Sequence, residues 1–160
     1  MEKQLSVLYG QITELLSSMI PTDWDKIYLL GEVEKDQLSY SSTFYYTDSD
    51  TKNIVKCVNI LNIYDEDEDT FIEALSELGD LIFALNNCFK ENEQELWEQV
   101  VFVLDNDGSI NIDYKYDVMV EDDGGQMGRE VIWAYDTFGY IPDEDSYEKV
   151  LLDKHLKSRK

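Results

Sequence analysis

Residues 97–117, WEQVVFVLDNDGSINIDYKYD, decide how this chain folds. An apolar run, a turn cluster and an alternating run in that order make a β-hairpin. In the second arm Ile110, Ile112, Tyr114 and Tyr116 fall on one face, and Asn111, Asp113, Lys115 and Asp117 on the other. An acidic loop, Glu121-Asp122-Asp123-Gly124-Gly125, follows at once. The hairpin supplies a rigid scaffold and the loop supplies charge.

Working outward from the hairpin, the preceding segment is helical. Phe71, Ile72, Leu75, Leu78, Leu81, Ile82, Leu85 and Phe89 recur at helical spacing and predict a long buried helix over 69–90. The acids Asp65–Asp69 sit at its start, where they favour the helix dipole. Upstream, three β-rich runs predict strands at 26–34, 39–46 and 53–59. The first puts Ile27, Leu29 and Val33 on one face and Tyr28 and Leu30 on the other. The chain begins with Leu5, Leu8, Ile12, Leu15, Leu16 and Met19 at spacings of three and four, an amphipathic helix over 3–19 stopped by Pro21. After the acidic loop, Val131, Ile132, Trp133, Tyr135 and Phe138 predict a helix over 128–140, ended by Gly139 and Pro142. A last helix over 145–157 uses Tyr147, Val150, Leu151 and Leu152 and closes on a basic tail. The order α-β-β-β-α-β-β-α-α predicts an α+β fold: residues 1–160 as a single domain, with a mainly antiparallel five-stranded sheet and packed helices.

Composition narrows the function. In 160 residues, 35 acids face 13 bases, for a formal charge of −22. Such a chain is repelled by nucleic acid and by anionic membranes. The 43% hydrophobic and 12% aromatic content argues for a folded core despite the charge. Cys57 and Cys88 stand alone, without a C-x-x-C motif, and are expected to be small core residues. With no signal-peptide pattern and no membrane-length apolar run, the cytosol is the expected compartment.

Catalytic chemistry has little to build on. The one histidine, His155, lies in the basic tail, and Arg129 and Arg159 are the only arginines. That leaves no Ser-His or Cys-His constellation, no phosphate loop and no anion clamp. Asp105-Asn106-Asp107-Gly108 resembles part of a calcium loop. With Gly108 at loop position six, Val103 and Tyr114 occupy positions one and twelve, and neither carries a carboxylate. A hairpin turn is the better account of that tetrapeptide. No enzyme activity, catalytic residue, metal or cofactor is expected.

Charge placement is more informative. From Glu91 to Asp145, sixteen acids face only Lys115 and Arg129, a formal −14. Two readings stand: a solvated face, or an anionic surface that steers and docks a basic partner. On the second, Asp113, Asp117, Glu121, Asp122 and Asp123 are the candidate contacts, with Tyr116 as aromatic anchor. Trp24, Trp97 and Trp133 are expected mainly in the core.

An ordered set of residues carries a resemblance. Met19-Ile20-Pro21 and Trp24 close the first helix, Ile27-Tyr28-Leu29 runs into Gly31-Glu32-Val33, and Phe44-Tyr45-Tyr46 lies in the second strand. Further on come Trp97, then Ile112-Asp113-Tyr114-Lys115-Tyr116-Asp117, then Arg129 with Ile132-Trp133-Ala134-Tyr135. Together, over about residues 3–141, they resemble the YezG-like immunity proteins, a family of small bacterial antitoxins. The resemblance implies stoichiometric neutralisation of an LXG-type toxin exported by the type VII secretion system, commonly a nuclease. The implied partner is then a basic nuclease domain, the electrostatic complement of an acidic protein. The alternative is an acidic nucleic-acid mimic that inhibits another DNA-binding protein.

Overall fold

The structure, a computed structural model, describes residues 1–120 and 123–159. The chain forms two compact units, Met1–Val118 and Met119–Lys160.

The first unit is a helix layer on one antiparallel sheet. Its elements in chain order are α1 (Glu2–Met19), β1 (Trp24–Val33), β2 (Tyr40–Asp48), β3 (Ile54–Lys56), α2 (Ile60–Tyr64), α3 (Glu68–Glu91), β4 (Gln99–Asp105) and β5 (Ile110–Lys115). The sheet order is β3-β2-β1-β4-β5, with every pair antiparallel. β1 is central because its core-facing side is apolar almost end to end: Ile27, Leu29 and Val33 are fully buried. Gly31 continues that side, and a Cβ there would lie 2.8 Å from the Cδ1 and Cγ2 atoms of Ile82 on α3. The missing side chain lets the helix sit close on the strand.

Against this side pack Ile12 and Leu16 from α1, and Leu78, Ile82, Leu85 and Phe89 from α3. Phe44 and Tyr46 of β2, and Val100, Phe102 and Leu104 of β4, complete the core. These are the faces the apolar spacing predicts for α1 and α3. Asp67 caps α3, its carboxylate accepting the Thr70 N–H at 3.1 Å. Buried Asn86 ties α3 to two neighbours: its Nδ2 donates to the Trp97 carbonyl, and its Oδ1 accepts from Gln37, each at 2.9 Å. Cys57 and Cys88 are both buried free thiols.

One predicted element changes. The run expected as a strand over 53–59 pairs with β2 only from Ile54 to Lys56; Cys57–Asn59 is a 3-10 turn that leads into α2. Its β-branched residues favour a strand locally, but Cys57 and Ile60 reach the core only once the chain coils. The hairpin turn is as the sequence predicts. Gly108, at φ +91°, donates to the Asp105 carbonyl at 3.0 Å, and the Asp107 carboxylate accepts the Ser109 N–H at 2.8 Å.

The second unit is a pair of helices, α4 (Gly125–Phe138) and α5 (Tyr147–Ser158). Gly139, at φ +76°, ends α4 and donates to the Tyr135 carbonyl at 3.0 Å. Ser146 caps α5, its hydroxyl accepting the Lys149 N–H at 3.2 Å. Val131, Ala134 and Leu152 are its buried aliphatic residues, and Trp133 meets Phe138 edge-to-face.

Candidate partner-binding surface

Three of the six candidate contacts lie in the first unit, on β5 and the segment leaving it. β5 is held from below. Ile112 and Tyr114 pack on the core, and the Tyr114 ring lies 4.9 Å from Phe89 and 5.5 Å from Trp97. The Tyr114 hydroxyl bonds that of Tyr9 on α1. Burial, and then this bond, push the Tyr114 phenol well above its ordinary ionisation range. Alternation then turns Asp113 outward, where it is exposed opposite Val101.

Beyond the strand, Tyr116 is 37% exposed, so its ring offers a partly open apolar face. Partial burial, and then the charge of Glu95, raise its hydroxyl's pKa. Asp117 follows at φ +52° and forms an exposed ion pair with Lys35. The same contact raises the Lys35 ammonium. Glu98 is buried just before β4 and accepts the Val118 N–H at 2.7 Å, which fixes the chain as it leaves this region. Asp113, Tyr116 and Asp117 are therefore all exposed within five residues of one another along the chain.

Glu121 and Asp122 lie outside the described residues. Asp123, in the second unit, is only 15% exposed at its side chain and bonds Arg129 Nη1 at 3.0 Å. It also accepts the N–H groups of Gly125 at 2.8 Å and Val120 at 3.2 Å. Burial opposes its ionisation, but Arg129 and these amides outweigh burial and hold the carboxyl below its ordinary range. Asp123 thus pins the start of α4.

Other exposed acids lie outside the six candidates. Asp69, Glu73 and Glu77 are exposed on α3 at successive spacings of four, and Asp80 accepts the Tyr40 hydroxyl at 3.0 Å. The four-residue spacing was the available signal. Like charges so placed destabilise a helix slightly. Asp105 and Asp107 add charge at the hairpin turn, where Asp105 meets Lys26 at 3.5 Å. Among the described residues no group of three His, Cys, Asp or Glu side chains is placed to hold a metal ion. His155 lies on α5 with a buried Nε2. No described helix is long and apolar enough to cross a membrane.

Comparison with known proteins covers nearly the whole chain. The family profile described as "Immunity protein YezG-like" matches residues 5–152. The immunity protein YezG of Bacillus subtilis (strain 168) is 32% identical over 145 residues, 90% of this chain and 95% of that protein. The type VII secretion system protein EsaG of Staphylococcus aureus (strain NCTC 8325 / PS 47) is 30% identical over 92% of this chain and 88% of its own length. The immunity protein YezG of Bacillus spizizenii (strain ATCC 23059 / NRRL B-14472 / W23) is 27% identical, over 91% and 89%.

Proposed function

Since this chain belongs to the YezG-like immunity protein family, we propose that it binds the nuclease domain of a type VII-secreted toxin and neutralises it by stoichiometric inhibition. The observation that carries the reading is charge: −22 over the chain, with Asp113, Tyr116 and Asp117 all exposed on or just after β5. A nuclease domain must hold phosphates and is therefore basic. An acidic surface attracts it at long range, and an aromatic residue among the acids supplies the short-range contact. Inhibition by occupation asks no chemistry of this chain. We place the encounter in the cytosol. Asp113, Tyr116, Asp117, Glu121 and Asp122 are the proposed contacts, while Asp123, paired with Arg129, holds the start of α4.

The test is calorimetry against the C-terminal domain of a type VII-secreted toxin encoded beside this gene, at low and high salt, with nuclease activity followed in parallel. Saturable binding that weakens with salt, and loss of cleavage, are expected. Reversing Asp113, Asp117 and Glu121 to lysine should slow association by about tenfold or more and flatten its salt dependence. Unchanged rates in a folded variant overturn the surface assignment. Absence of binding by the unmodified chain overturns the function.

A further inference from the structure

The two edges of the sheet differ. β3 pairs over only three residues, Ile54–Lys56, before the chain coils away into a 3-10 turn, a short and blunted edge. β5 is six residues long and forms the other edge with neither proline nor bulge between Ile110 and Lys115. Its register shows which backbone groups face outward. The Ser109 carbonyl accepts the Asp105 N–H at 2.9 Å. Stepping by two, Asn111 and Asp113 exchange bonds with Val103 and Val101, the residues opposite them. The N–H and C=O groups of Ile110, Ile112 and Tyr114 then point away from β4. No hydrogen bond reaches them among the described residues.

We propose that this edge takes up an extended strand of the toxin partner, adding a sixth strand whose residues alternate between cationic and apolar. The proposal rests on the immunity reading above and specifies its geometry. Main-chain pairing supplies affinity, and alternate side chains supply selection. On one face of the added strand the neighbours are Asn111 and Asp113, and Lys115 is the only cation on β5 itself; Asp107 in the turn and Asp117, paired with Lys35, add charge at its two ends. That face selects lysine or arginine. On the other face Ile110 is 41% exposed beside a groove of about 300 Å³ between α1 and the hairpin, which Trp24 and Leu104 also line. That face selects apolar side chains. The edge is held in place beforehand, because Ile112 and Tyr114 are packed on the core and Tyr114 is bonded to Tyr9. Little ordering entropy is then lost when a strand docks.

The experiment is amide hydrogen exchange, by NMR, on the full chain alone and with the C-terminal domain of the type VII-secreted toxin encoded beside the gene. In the free protein the amides of Asn111 and Asp113 should exchange slowly, and those of Ile110, Ile112 and Tyr114 fast. On complex formation the last three should slow by about 100-fold or more, with Asn111 and Asp113 little changed. Ile110→Pro removes one outward N–H at the first residue of an edge strand, where proline is tolerated. It should leave the melting temperature near its starting value and weaken binding by about tenfold, the worth of one hydrogen bond. Binding by the unmodified chain with the three amides still fast overturns edge pairing and leaves the immunity reading in place. No binding at all overturns both. Protection of the same amides that grows with the concentration of this chain alone assigns the edge to a second copy of itself, and overturns the proposal as well.

Discussion

Asp123 shows how one carboxylate can carry charge without offering it to solvent. It is tied to Arg129 at 3.0 Å and to the N–H groups of Gly125 and Val120. Its folded pKa lies below the ordinary 3.8, because Arg129 and the amides overcome the effect of burial. The resulting stabilisation is whole above the ordinary carboxylate value and drains away as pH falls through the depressed one. Asp123→Asn should therefore lower stability by about 2 kcal/mol near neutral pH, the scale of hydrogen bonds to a charged group. Thermal melts of the two proteins should stand apart from pH 6 to 8 and converge as pH falls through the depressed carboxyl value. A gap that persists in acid would show that the asparagine acts through packing instead. Neither partner bond was legible beforehand: Asp123 and Arg129 are six residues apart, a separation with no fixed geometry between a loop and a helix.

Between elements, α3 comes close to β1 at Gly31, where the Ile82 side chain fills the space a Cβ would need. This gives a physical reason for the glycine in Gly31-Glu32-Val33. Gly31→Ala should cost about 1–3 kcal/mol by overpacking. Ile82→Val in the same chain should recover part of that loss, so that the double variant is more stable than the sum of the singles predicts. Urea unfolding of the four proteins measures this; simple additivity would mean the helix shifts freely. The helices themselves were legible because spacings of three and four survive any packing partner, and α1 and α3 appear within a residue or two of their expected bounds. β5 was legible because its alternation separates Ile112 and Tyr114 from Asp113. The strand expected over 53–59 was too long, since Val55, Cys57 and Val58 fit a strand locally while tertiary packing coils the second half. The pairing of Lys35 with Asp117 spans 82 residues and belongs to the fold alone.

At the scale of the molecule, 35 acids against 13 bases set up a repulsion that the ion pairs only partly offset. Pairs such as Lys52–Asp25 at 2.9 Å and Arg159–Asp136 at 2.7 Å are exposed, and exposed pairs contribute little. Raising salt screens both the repulsion and the pairs, but the repulsive terms outnumber the attractive ones. The melting temperature should therefore climb between about 20 mM and 500 mM sodium chloride, over the range where the Debye length shrinks from roughly 20 Å to 4 Å. A fall would mean the local pairs dominate. The same salt that steadies this protein should weaken its complex with a basic partner, so stability and affinity move in opposite directions.

The bond between Tyr9 and Tyr114 also sets a timetable for synthesis. The two residues are 105 apart in the chain. At the usual 5–20 residues per second, α1 waits about 5–20 s before the tyrosine that anchors it leaves the ribosome. β1 and β2 can pair early, since one short turn joins them, but β1 has no neighbour on its other side until β4 is made. The first helix is thus made well before the strand whose tyrosine bonds it, and until then α3 is its main partner. What waits for β5 is the end of the helix that carries Tyr9.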